Sequence, residues 1–504
     1  MNIIQMEGIT KNFPGVIAND NIDFAVEEAE IHGLLGENGA GKTVLMSILY
    51  GLLHPDAGKI FIKGKEAENY SPAQAIKLGL GMVHQSFMLI PSFTVAENII
   101  LGIEPTKSKL LLNRDRMVND VKEISDRYRL NVDPKARVDT LPVGVQQRIE
   151  ILKALYRGAD VLIMDEPTSV LIPSEVEELF KALLALKKQG KTVIFISHKL
   201  KEVLAICDRV TVLRRGSVVG TVRACDTDME KLAMMMVGRK VVLTIEKRGT
   251  MAGKVVLKLD NLRAFNDRGL PALRGIDLEI CESEILGIAG VEGNGQTELV
   301  EVLMGLRKAE GKVFLDNNDI SEMSTGKRIE GGIANVPEDR QKRGLIEDFS
   351  VSENLILGSQ SMPPFAKWSR TILDGKQISA FSRDSIKGFS IKTPSEDTPV
   401  RHLSGGTQQR VVLAREFRRK PKLIIASQPT RGLDVGATEY VRKRLVEMRD
   451  QGCAILLISA DLDEIQVLSD KIAVIYEGRI VATKPVEEIK EKELGLLMGG
   501  GKHD

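Results

Sequence analysis

The chain is poor in the residues that mark secreted, metal-holding or membrane-spanning proteins. Its four cysteines, Cys207, Cys225, Cys281 and Cys453, are scattered without CxxC spacing, which argues against both a disulfide framework and a zinc site and fits a reducing compartment. The six histidines show no metal-ligand spacing either. No apolar run approaches the ~20 residues that a bilayer-crossing helix needs. The N-terminus lacks a charged segment followed by a long apolar one, so no export is expected and any membrane role should be peripheral. Neither sign of charge dominates: 70 Lys+Arg stand against 69 Asp+Glu, a net of +1, and nucleic acid is therefore not the expected partner. The only tryptophan, Trp368, reads as a packing residue.

What the chain does have, it has twice. Gly36-Glu37-Asn38-Gly39-Ala40-Gly41-Lys42-Thr43 fits the phosphate-loop pattern GxxxxGK[ST], and Gly290-Val291-Glu292-Gly293-Asn294-Gly295-Gln296-Thr297 fits it except that Gln296 stands where the lysine belongs. The offset between these loops is 254 residues and becomes 262 from Leu141 and Leu403 onward. Two copies of one fold are implied, the second with a net insertion of about eight residues. Halves of about 250 residues are each large enough for a core of their own. The polar stretch Glu246-Lys247-Arg248-Gly249-Thr250-Met251 reads as a solvated linker, placing the domains at 1–240 and 254–504.

The motifs fall where an α/β nucleotide-binding core would carry them. Residues 30–35 read as a buried strand feeding the first glycine loop, and 42–50 as the helix after it. Val161-Leu162-Ile163-Met164 is a short apolar run ending in Asp165-Glu166. Ser174 and Glu177 form a capping-box pattern ahead of an apolar helix face, and the strand Thr192–Ile196 then runs into Ser197-His198. Such alternation predicts a largely parallel sheet covered by helices.

The chemistry of the first half follows residue by residue. Small residues let the loop turn its N–H groups and the helix N-terminus toward phosphates, and Lys42 brings a positive charge to the β and γ groups. Thr43 offers a hydroxyl to Mg²⁺, Asp165 holds that metal through a water, Glu166 polarises the attacking water, His198 reaches the γ-phosphate, and Gln85 senses metal or water. In the second half Gln296, Glu338, Ser427, Gln428 and Ala460 replace Lys42, Gln85, Asp165, Glu166 and His198, while Gly290, Gly293, Gly295 and Thr297 survive. Gln428 accepts no proton, so nucleotide binding without efficient hydrolysis is expected there.

Across almost its whole length the chain resembles the tandem ATP-binding subunits of ABC-type importers for simple sugars and nucleosides. Leu403-Ser404-Gly405-Gly406-Thr407-Gln408-Gln409-Arg410 looks like the family's signature, and Gln428-Pro429-Thr430-Arg431-Gly432-Leu433-Asp434-Val435-Gly436 like its second-half segment. The resemblance implies tandem P-loop domains, each with a mainly parallel sheet core, an antiparallel β portion and a helical subdomain. It implies ATP and Mg²⁺, two integral-membrane permease subunits, an extracytoplasmic substrate-binding protein, and a place on the cytoplasmic face of the cell membrane. Phe13 matches the aromatic that stacks on adenine. The residues around Gln85 and Glu338 match loops that meet the permease, and their wording looks closer to the nucleoside-importing branch.

In proteins of this kind each ATP lies between the phosphate loop of one half and the signature of the other. The first half's own signature, Leu141-Pro142-Val143-Gly144-Val145, carries Pro142 in place of a serine, and its next loop, Val170-Leu171-Ile172, lacks an aspartate. Lys42, Thr43, Gln85, Asp165, Glu166 and His198 are therefore expected to work with Ser404, Gly405, Gly406 and Asp434, giving one competent ATPase site per chain. Two other readings compete. A soluble tandem ATPase acting on ribosomes or nucleic acid predicts two competent sites and a long charged linker, and a non-hydrolytic regulator predicts loss of Glu166 and His198.

Overall fold

Short strands with every residue buried form the centre of each half. The computed structural model describes residues 2–67, 71–84, 87–107, 111–168, 171, 173–240, 247, 253–291, 293–367 and 372–498. The chain divides into two units, Met1–Val241 and Val242–Asp504, each with its own sheets and core. Gln85, Trp368, Val170, Ile172 and most of the expected linker lie outside the described residues.

In the first unit, β1 (Asn2–Phe13) pairs antiparallel with Val16–Glu27 and Ala57–Ile62 in a four-stranded sheet. The second sheet has six strands. Its centre is β2 (Ile31–Gly36), which runs into α1 (Lys42–Leu49) through the glycine loop. Farther along the chain come α2 (Val143–Tyr156), β3 (Val161–Asp165), α3 (Pro173–Lys188) and β4 (Thr192–Ile196). The strand β4 lies between β2 and β3, parallel to both, with Ile194 opposite His32 and Ile163. All residues of β2, β3 and β4 are buried, the pattern of strands covered on both faces. Ile4, Met6, Leu34, Leu45, Ile48 and Ile194 belong to the core that joins the two sheets.

The second unit repeats this order. β5 (Val255–Phe265) takes the place of β1, β6 (Ile285–Ala289) runs into α4 (Gln296–Leu303), and α5 (Gly405–Arg418), β7 (Leu423–Ser427), α6 (Val435–Asp450) and β8 (Ala454–Ser459) follow. Its six-stranded sheet again sets β8 between β6 and β7, parallel to both. The extra residues fall at the π-helical turn Arg340–Gly344 and between the helices Val351–Ile356 and Gly375–Gly388. The expected α/β architecture, a mainly parallel sheet with an antiparallel β portion and helices, is present in both units.

One local expectation needs correction. The capping-box pattern would begin the helix after Ser174, yet α3 begins at Pro173. Proline is well suited to a first helical position because its missing N–H costs no bond there.

Candidate active site

The first unit brings its expected loop and carboxylates together at the ends of β2, β3 and β4. Gly41 is the residue before α1 and has φ +98°, a left-handed conformation that favours glycine. A Cβ there would also stand 2.6 Å from Asn19 Nδ2 and closer still to the Ala18 carbonyl. Asn19 is fully buried and donates from Nδ2 to the Gly41 carbonyl at 3.2 Å, so it braces the loop from the neighbouring sheet. Gly36 ends β2, Glu37 is half-buried, Asn38 and Gly39 are exposed, and Ala40 is buried. Lys42 is 7% exposed and folds back, its Nζ donating to the carbonyls of Gly36 at 2.7 Å and Glu37 at 3.1 Å. Thr43 is exposed in the first turn of α1, and Phe13 is 41% exposed at the end of β1.

Asp165 ends β3, and Glu166 follows it at φ +46°, its N–H donating to Ile196 O of β4 at 3.0 Å. That turn sets the Glu166 carboxyl beside His198, whose Nδ1–H donates to Glu166 Oε1 at 2.9 Å, while Asp165 lies near Lys42 and His84. Burial pushes the Asp165 carboxyl up and the Glu166 charge adds to this, with Lys42 and His84 pulling partly back. For Glu166, burial also acts upward, but His198, Lys42 and Lys199 together hold it below the usual carboxylate range. The neighbours thus differ in kind: one favours a proton or a cation, and the other stays ionised.

The second unit keeps the shape and loses the charge. Gly295 precedes α4 at φ +104°, as Gly41 precedes α1, and Gly290 and Gly293 hold the matching loop positions. Gln296 Nε2 donates to Val291 O at 2.9 Å, close to what Lys42 does in its own loop, and its Oε1 accepts from Asn294 N at 3.1 Å. Thr297 is exposed. Gln428 sits at φ +45° with its N–H on Ile458 O at 2.7 Å, and its side-chain oxygen accepts from Ala460 N at 3.2 Å, where a histidine would have stood.

The signature residues also cluster within the second unit. Ser404 caps α5, its hydroxyl accepting from Thr407 N. Asp434 caps α6 by accepting from Ala437 N at 2.7 Å, and its Oδ2 lies 4.0 Å from the Cβ position of Gly406. Gly405 begins α5. Gly405, Gly406 and Asp434 therefore share one corner, whereas Lys42, Asp165, Glu166 and His198 share another in the first unit.

Three residues join the site that the sequence reading did not single out. Asn19 is one. Phe265 is another: it ends β5 as Phe13 ends β1 and is 55% exposed. The pairing of Phe265 with Pro271 mirrors that of Phe13 with Val16, so an aromatic at the end of the first strand in both halves was the signal. The third, Glu175 on α3, approaches Gly144 in the first unit's signature segment.

An anion-receiving turn beside an ionised carboxylate and a histidine can hold a triphosphate and direct water at its last phosphorus. Comparison with known proteins agrees. The ABC transporter family profile matches residues 19–169 and 273–431. The chain is 49% identical over 499 residues to the guanosine import ATP-binding protein NupO of Bacillus subtilis (strain 168), covering 99% of this chain and 97% of that protein. It is 46% identical to the nucleoside import ATP-binding protein NupA of Lactococcus lactis subsp. cremoris, over 99% and 98% of the two chains. Against the glucose import ATP-binding protein TsgD13 of Haloferax volcanii the identity is 44%, over 99% and 96%. Two profile matches, one on each phosphate-loop half, and full-length likeness to import ATP-binding proteins place this chain in the ABC transporter family.

Proposed function

We propose that this chain is the ATP-hydrolysing subunit of a nucleoside importer and that it holds one competent ATPase site. The observation that carries this reading is the Lys42, Asp165, Glu166 and His198 cluster, intact in one half and replaced throughout in the other. The full-length likeness to NupO and NupA supports nucleosides as cargo, as does the wording of the loops around Gln85 and Glu338. The partners are two integral-membrane permease subunits and an extracytoplasmic binding protein, with this chain on the cytoplasmic face. Among the described residues no helix is long and apolar enough to cross a membrane, which suits a subunit that docks on others.

In this reading adenine rests on Phe13, and the phosphates take the N–H groups of residues 36–43. Lys42 exchanges its loop carbonyls for phosphate oxygens. Glu166, ionised at neutral pH, accepts a hydrogen bond from the attacking water and orients it, while His198 fixes the carboxylate through Nδ1 and leaves Nε2 for the terminal phosphate. The residues suit Mg²⁺. Asp165 is a buried carboxylate that accepts no hydrogen bond from a described residue, Thr43 offers a hydroxyl beside it in sequence to the loop, and oxygen donors are what a hard cation takes. Gln85 is the third candidate ligand. When bound, the metal offsets the charge of the phosphate oxygens. Ser404, Gly405 and Gly406, with Asp434, are the second unit's candidates for contact with a terminal phosphate.

Deleting the gene is expected to abolish uptake of labelled guanosine, with recovery on returning the parent chain but not Glu166→Gln. Nucleoside uptake that persists while ribose or xylose uptake is lost would overturn the cargo assignment. A second expectation follows from the replaced half. Restoring Gln428→Glu should change steady-state phosphate release by less than about twofold, because one carboxylate without lysine, aspartate and histidine assembles no site. A severalfold gain would show that the second half was one residue from activity.

A further inference from the structure

Within the first unit, the turns that carry Glu166 and His198 are fastened to each other twice. On the sheet side, Glu166 N–H donates to Ile196 O at 3.0 Å, where the parallel pairing of β3 with β4 ends. Farther out the fastening is made of side chains. Thr168, which is 2% exposed, donates from its hydroxyl to Glu202 Oε2 at 2.5 Å, reaching the short helix Leu200–Ile206 that follows the histidine. Lys199, the residue after His198, folds back over this pair. Its Nζ lies 3.1 Å from Glu202 Oε1 and donates to the Thr168 carbonyl at 3.3 Å, while its own N–H donates to Ser197 Oγ at 3.0 Å. In chain order, the Glu166–His198 hydrogen bond thus lies between two fastenings.

The second unit keeps part of this arrangement. At the offset of 262, Thr430, Ser459 and Glu464 stand where Thr168, Ser197 and Glu202 do, and Glu464 is again buried beside the threonine and the serine. Of the four positions only that of Lys199 differs, and it has changed sign: Asp461 stands there, accepting from Asp463 N at 3.0 Å as the cap of its own helix. The cation near Glu464 is instead Arg442 of α6, with Nη2 3.7 Å from Asp461 Oδ2. Threonine and glutamate are therefore what the scaffold uses in both halves, and the lysine accompanies the half with the carboxylate and the histidine. We propose that Lys199 is a positioning residue for ATP hydrolysis: by clipping the Thr168 carbonyl to Glu202, it fixes the spacing of the two turns and keeps His198 Nδ1 on Glu166 Oε1. A small shift of either turn is costly, because a group that orients water works only at hydrogen-bond distance. This inference rests on the reading above that Glu166 and His198 serve the hydrolysis.

The test uses the full chain. Lys199→Met is expected to lower kcat by about tenfold with KM for ATP within about twofold of the parent, and Lys199→Arg, which keeps a cation of similar reach, to stay within about threefold on both. The Lys199 side chain is 41% exposed, so its removal opens no buried cavity. Thermal unfolding should therefore stay within about two degrees of the parent, and a larger fall would assign the lysine to the fold instead. The decisive comparison is made in a His198→Ala background, by single-turnover hydrolysis of labelled ATP. There Lys199→Met should cost less than about twofold, since the contact it protects is already gone. A loss of about tenfold in both backgrounds would mean that Lys199 acts on something other than the histidine. A parent-like kcat in Lys199→Met, or an arginine as damaging as the methionine, would equally overturn the proposal. Failure of the underlying reading looks different: Glu166→Gln would then hydrolyse ATP like the parent.

Discussion

Glu166→Gln is expected to lower steady-state ATP hydrolysis by about 10²- to 10³-fold with little change in ATP affinity. The argument begins with the backbone. Residue 166 sits at φ +46°, a conformation that a side chain with a Cβ adopts at some cost, and its N–H bond to the β4 carbonyl helps to hold it there. A glutamine is tolerated in that geometry, because Gln428 occupies the matching turn of the other half at φ +45° with the same bond to its neighbouring strand. The substitution therefore changes chemistry and not shape. A glutamine oxygen can still accept from His198 Nδ1, so the histidine keeps its place. What disappears is an ionised oxygen able to take a proton from water. The measurement is phosphate release alongside equilibrium binding of a labelled nucleotide, and a fall of less than tenfold would mean that another group activates the water.

Lys42→Gln should bring the second large effect, a fall in turnover of about a hundredfold accompanied by weaker ATP binding. Here too the chain contains its own control. Gln296 Nε2 reaches Val291 O at 2.9 Å, and Lys42 Nζ reaches the corresponding Glu37 O at 3.1 Å, so either side chain can close the loop. Loop shape and thermal stability should survive in the variant. The loss is electrostatic, since an amide donates a hydrogen bond but brings no net charge to the phosphate oxygens, among which the leaving oxygen gains negative charge as its bond to phosphorus breaks. Thermal unfolding within about two degrees of the parent, together with the loss of turnover, would separate this from misfolding. A parent-like turnover would instead assign the charge to another cation.

The glycine loops, the carboxylates at the end of β3 and the histidine after β4 were legible in the amino-acid sequence because each depends on residues adjacent in the chain. A positive φ at Gly41 demands glycine locally, and an all-apolar run ending in Asp165 announces a buried strand with an accessible end. Glu175 was not legible. It lies 31 residues from Gly144, and only the packing of α3 against the start of α2 brings them together. Asn19 was hidden for the same reason, a buried amide 22 residues from the carbonyl it supports. Phe265 was recoverable, but its distance from Phe13 differs slightly from the spacing of the two phosphate loops, and the hairpin between it and Pro271 absorbs the difference. The start of α3 at Pro173 shows a polar pattern outcompeted by a residue preorganised for a first helical turn.

The shared left-handed turn at Glu166 and Gln428 has an evolutionary consequence. A duplicated half can shed its reactive groups one at a time while the protein still folds, because the scaffold asks only for a backbone kink and a bond to the adjacent strand. Selection on solubility and selection on turnover are thereby uncoupled, and a lineage can keep the retired copy as a mechanical counterpart long after its chemistry has gone.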